Sequence, residues 1–160
     1  MLPAGLWPLT LGLPILAYVA QSDLRRMRIP NWTALALVAV FVLTAPFVGW
    51  TEAGWRALSA AIVFAVGFAL FALRIVAGGD VKILAALALL VPVATLTLFW
   101  LVFAGAMAAA ILLVVALRAL PAARGTGWVS MRARGTLPMG IAIAAAGWVH
   151  WAILAVVNAG

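Results

Sequence analysis

Cysteine is absent from the 160 residues, which excludes disulfides, thiolate catalysis and cysteine-ligated zinc. Acid is nearly absent as well: Asp23, Glu52 and Asp80 are the whole supply against ten basic residues, for a formal net charge of +7. Only 8% of the residues are charged, against roughly 25% in soluble domains. The strict alternation of β-branched residues that a membrane barrel requires is missing too. The single histidine, His150, lies between Trp148 and Trp151 with no carboxylate near it in sequence. It reads as a packed or interfacial residue, and no metal and no cofactor are expected.

What remains is apolar. Hydrophobic residues make up 69% of the chain and the mean hydropathy is +1.28, the composition of an integral membrane protein. Several stretches approach the roughly 20 residues that cross a bilayer as a helix. The expectation is an all-α, polytopic membrane helical bundle of about six transmembrane helices, forming one membrane-embedded domain over residues 1–160. The spans run at about 6–21, 32–50, 57–75, 80–91, 95–117 and 139–156, and Glu52 falls in a short loop at 51–55. Pro92 breaks the long apolar run between the fourth and fifth spans. The fourth, at about 12 residues, rises only about 18 Å, so its start is expected to be recessed into the bilayer.

Charge sets the orientation. No basic residue precedes the first span, whereas Arg25, Arg26 and Arg28 follow it, which argues against a cleaved signal peptide and places the N-terminus outside. Six crossings then leave the C-terminus outside. Nine of the ten basic residues face the cytoplasm and Arg56 alone faces out, as the positive-inside rule requires. Basic residues so distributed point to a lipid bilayer as partner and not to nucleic acid.

Two short stretches carry chemistry. The first is Asp23-Leu24-Arg25-Arg26-Met27-Arg28-Ile29-Pro30-Asn31, with Pro30 suited to the first turn of the second helix. The second is Ala77-Gly78-Gly79-Asp80-Val81-Lys82, where a carboxylate sits between two glycines and an apolar run. An ionisable group at the edge of a span is costly enough to suggest a functional site, and glycine permits positive φ and close backbone approach. Each acid has a plainer reading: Asp80 as a helix N-cap, Asp23 as a solvated loop carboxylate beside Arg25 or Arg26. The topology, however, puts both at one membrane depth. If adjacent, they titrate as a unit that shares a proton, the arrangement by which aspartic proteases activate water and polarise a carbonyl. Proton- or cation-coupled transporters also place paired acids in membranes, and spacing alone leaves that alternative open. Transporter acids usually lie near the midplane among internal repeats, and no repeat is visible in this chain.

These stretches resemble the prepilin peptidases, in particular the short form associated with Tad (Flp-type) pili. Asp23 with its basic loop and Ile29-Pro30-Asn31 is similar to the family's first catalytic motif, Gly78-Gly79-Asp80-Val81-Lys82 to its Gly-x-Gly-Asp motif, and Leu137-Pro138-Met139-Gly140 to the Pro-Tyr-Gly segment that opens its last helix. Ala77 replaces the first glycine, and Met139 the tyrosine. The resemblance implies an aspartic endopeptidase with Asp23 and Asp80 catalytic, and with Gly78, Gly79, Lys82, Pro30, Asn31, Pro138 and Gly140 supporting the site or the substrate. It implies prepilin or pseudopilin substrates, cut after a glycine that ends a short basic leader. The setting is the cytoplasmic face of a bacterial inner membrane. Longer relatives also methylate the new N-terminus and carry cysteine motifs in an extra cytoplasmic region. Without cysteine, and with its first span close to Met1, this chain is expected to cleave without methylating.

Overall fold

The computed structural model describes residues 4–119 and 139–158. Its architecture is all-helical, with no strand among the described residues. After a short 3-10 turn at Ala4–Leu6, the helices are α1 (Trp7–Arg26), α2 (Asn31–Val48), α3 (Trp50–Ala72), α4 (Gly78–Ala88), α5 (Leu96–Ala119) and α6 (Met139–Val157). A second 3-10 turn, Val93–Thr95, follows Pro92 and leads into α5. Among the described residues four stretches are long and apolar enough to cross a membrane: α2, α3, α6 and residues Val93–Leu117 around α5. These apolar helices make the chain a membrane protein.

The short helix is the centre of the bundle. α4 packs against α2, α3 and α6, and Ile83, Leu87, Ala88, Leu90 and Val91 at or just beyond its C-terminal half have no exposed surface. At 11 residues it rises about 16 Å, half of a hydrocarbon core of about 30 Å. Lipid tails are as apolar as leucine, so close van der Waals packing has to hold such helices together. Small residues supply it: at Gly12, Gly67 and Gly147 an added methyl would run into the side chains of Leu90, just past α4, Val81 of α4 and Leu16 of α1.

The expected helix order holds, but α3 starts earlier than hydropathy suggests. Gly49, at φ 90° and ψ 142°, turns the chain within one residue, and α3 begins at Trp50. Glu52 therefore lies in the first helical turn and not in a loop. One turn later Arg56 is wholly buried. Its Nε donates to Glu52 Oε1 at 2.8 Å, its Nη1 to the carbonyl of Leu90 at 3.2 Å and its Nη2 to the carbonyl of Gly5 at 3.0 Å. Glu52 Oε1 also accepts the Val93 amide at 3.0 Å. One ion pair thus ties the starts of α1 and α3 to the end of α4 and the turn before α5, satisfying carbonyls that a dry interior would otherwise leave unpaired.

Nearby, Thr95 Oγ1 lies 3.1 Å from His150 Nε2, and Trp151 Nε1 donates to Thr10 Oγ1 at 2.8 Å. His150 is fully buried, edge-on to Phe99. It is therefore packed and not interfacial.

Removing only one partner of a buried pair strands the other charge, at a cost of about 3–5 kcal/mol. Glu52→Ala, which strands the guanidinium, and Arg56→Met, which strands Glu52 and leaves the Leu90 and Gly5 carbonyls without their donor, are both accordingly expected to lower the thermal unfolding midpoint of the purified protein in detergent. Tryptophan fluorescence reads the transition. Wild-type midpoints for both variants would show that the clamp contributes nothing.

Candidate active site

The two aspartates come from the opposite end of the bundle to the clamp. Helix α1 continues past the apolar stretch that ends near Gln21 and carries Asp23 in its final turn, where Met27 closes the helix in the left-handed region at φ 50° and ψ 42°. Asp23 is therefore not a solvated loop residue; it is 5% exposed. The first amides of α6 point at it, and the Gly140 N–H donates to Asp23 Oδ2 at 2.7 Å. Free amides at a helix start are suited to an anion.

Asp80 enters from α4, which is not among the candidate spans. It is not the helix cap. That position belongs to Ala77, whose side chain makes no cap hydrogen bond, and Asp80 lies within the first turn, its own N–H bonded to the Ala77 carbonyl at 3.1 Å. Ala77 has an extended backbone, φ −81° and ψ 144°, so the missing first glycine of the motif costs nothing. Gly78 and Gly79 are helical, and neither has positive φ. A Cβ on Gly78 would fit tightly, 3.3 Å from the Phe71 ring, whereas one on Gly79 would make an ordinary contact, 3.5 Å from Ile29 Cβ.

Asp23 and Asp80 line one open cavity of about 1050 Å³, together with Met27, Ile29, Phe71, Gly79, Met107 and Met139. Burial pushes the Asp80 carboxyl above the ordinary aspartate range, and the charge of Asp23 pushes it further. Burial also raises Asp23, but the N–H groups of Gly140 and Ile141 oppose the shift by favouring the carboxylate. The amides of Gly140 and Ile141 thus favour the charged form at Asp23, whereas burial and the neighbouring carboxylate both favour the protonated form at Asp80.

The remaining motif residues buttress this end. Pro30, extended at φ −65° and ψ 140°, precedes α2 rather than occupying its first turn, and its carbonyl accepts the Thr33 hydroxyl at 2.7 Å. Asn31 opens α2, and its Oδ1 accepts Lys82 Nζ at 3.1 Å. Lys82 thus cross-links α2 to α4. Pro138 lies outside the described residues. Arg28 and Arg74, read from the sequence chiefly as topology determinants, also line the cavity. Glu52 and Arg56 escaped the sequence reading, although their i,i+4 spacing was a usable signal.

Residues 10–122, more than half of the chain, match the model of the type IV leader peptidase family. No curated protein and no solved structure gives a significant match.

Proposed function

The chain belongs to the type IV leader peptidase family, and from that premise we propose that it is an aspartic prepilin peptidase with Asp23 and Asp80 as its catalytic pair. The observation that carries this reading is that the two carboxylates line one cavity and that Asp80 feels the charge of Asp23. In the proposed reaction the Asp23 carboxylate takes a proton from a water as that water attacks the scissile carbonyl, while Asp80 gives its proton to the carbonyl oxygen. The tetrahedral intermediate then collapses: Asp80 takes back the hydroxyl proton, Asp23 gives its proton to the leaving amine, and the pair returns to its starting state.

The substrates proposed are Tad/Flp-type prepilins, cut after the glycine that ends a short basic leader. Their following apolar helix stays in the membrane. The distribution of basic residues supports a multi-pass protein of the bacterial inner membrane with its active site on the cytoplasmic side. The absence of cysteine supports cleavage without methylation of the new N-terminus.

The test is reconstitution of the purified protein in proteoliposomes with a Tad-type precursor, with leader removal followed by mass spectrometry. A cleaved pilin is the expected result; acid-dependent ion flux without a peptide product would replace the peptidase with a transporter. The pH profile tests the shared proton. Activity should rise as the pair loses its first proton and fall as it loses the second, which Asp80 carries above the ordinary aspartate value of about 3.9. Activity already lost within about one unit of that value would exclude a shared proton.

A further inference from the structure

We infer that the apolar helix of the substrate docks in the lateral groove between α3 and α5, with its cleaved end at Asp80. This inference rests on the peptidase reading and adds where the membrane-embedded part of the substrate lies. Helices α3 and α5 each pack against other elements, but they are not an extensively packed pair; α3 instead meets the 3-10 turn before α5. Because α4 is too short to fill the space between them, a groove of about 440 Å³ remains.

One wall is a stripe of α3, with Ser59, Val63, Val66 and Leu70 at helical spacing, and Trp100 of α5 forms the other. The stripe is about 16 Å long, three turns of a docked helix. The Ser59 hydroxyl does not compete for an apolar ligand, since it is bonded to the Trp55 carbonyl of its own helix at 3.0 Å.

The floor decides the occupant. It is Leu84, one turn beyond Asp80 on the same face of α4. On α3, Leu70 of the groove is followed directly by Phe71 of the aspartate cavity. The groove therefore leads to the carboxylates. A second apolar groove, of about 450 Å³, lies between α2 and α3. It is floored by Ala85, Ala86 and Leu89 on the opposite face of α4 and includes the hydrogen-bonded Lys82 and Asn31; neither aspartate lines either groove, so what separates the two is the face of α4 that each follows. An apolar helix whose first peptide bond must reach Asp80 fits the former and not the latter.

The cysteine-free chain allows a direct test. Val63→Cys, in the α3/α5 groove, and Phe64→Cys, in the α2/α3 groove, are each placed in the Asp80→Asn background to hold uncut precursor. Precursors carry single cysteines at successive positions in the first three turns of the apolar helix. Val63→Cys should form disulfides at positions spaced three or four apart and Phe64→Cys should form none. Disulfides from Phe64→Cys, equal yields from both sites, or only enzyme–enzyme disulfides at Val63→Cys would overturn the inference.

Kinetics supply a second reading. In the otherwise wild-type protein, Val66→Trp should raise KM about tenfold with kcat unchanged, the signature of lost substrate binding, whereas Phe64→Trp should change neither. An unaltered KM for Val66→Trp refutes the groove. Wild-type protein is assayed on the same precursor: no cleavage there refutes the peptidase reading, whereas cleavage without disulfides from Val63→Cys refutes the groove alone.

Discussion

Asp23→Asn and Asp80→Asn are each expected to abolish leader removal, with rates falling on the order of 10⁴-fold, the scale on which catalytic units fail when one member is removed. Asparagine matches aspartate in shape, so the fold survives. In Asp23→Asn the amide oxygen can still accept the Gly140 N–H that now meets Oδ2, but it cannot take a proton from water. In Asp80→Asn the cavity keeps its shape and loses its acid. Stability separates chemistry from folding. The Asp80 carboxyl titrates higher in the folded protein than its ordinary value, so it contributes most at low pH, and stability is lost as pH rises through the folded value. Asp80→Asn removes that dependence and should unfold at an unchanged or higher temperature in alkaline buffer, while its cleavage activity is absent. Near-normal processing by either variant would sink the catalytic assignment.

The comparison between the ends of the bundle shows what a sequence can disclose. Composition alone established an all-helical membrane protein, because 69% hydrophobic residues leave few other solutions. Pro92 marked the break before α5, and the structure has its 3-10 turn there. Hydropathy was weaker at helix ends. It records where a chain becomes apolar, whereas the backbone of α3 is already helical at Trp50 and that of α1 still helical at Arg26. Asp23 and Glu52 were for that reason placed in loops. The glycines before Asp80 suggested positive φ or close approach; neither has positive φ, and the close approach is at Gly78, where the Phe71 ring would crowd an added Cβ. The clamp around Arg56 joins Gly5, Leu90 and Val93 through Glu52. Only the short Glu52–Arg56 spacing could have been read from one sequence.

Gly140→Ala should lower kcat on the order of 10²-fold, the cost of misplacing a reacting group by about 1 Å, with KM little changed. A Cβ at this position would lie 2.8 Å from Asp23 Oδ2 and 3.0 Å from Asp23 Cβ and Cγ, so something must move. Asp23 is buried in the last turn of α1 and cannot swing into open solvent. The 2.7 Å bond from the Gly140 amide must therefore lengthen as the carboxylate is displaced. That bond lowers the pKa of Asp23, so weakening it raises the pKa, and the acid limb of the pH profile should move to higher pH. Gly147→Ala, about two turns further along α6, gives the control. There the added methyl meets the Leu16 side chain and no carboxylate, so the variant should unfold at a lower temperature without moving the acid limb. A Gly140→Ala protein with wild-type kcat and an unshifted acid limb would show that the start of α6 does not position Asp23 for catalysis.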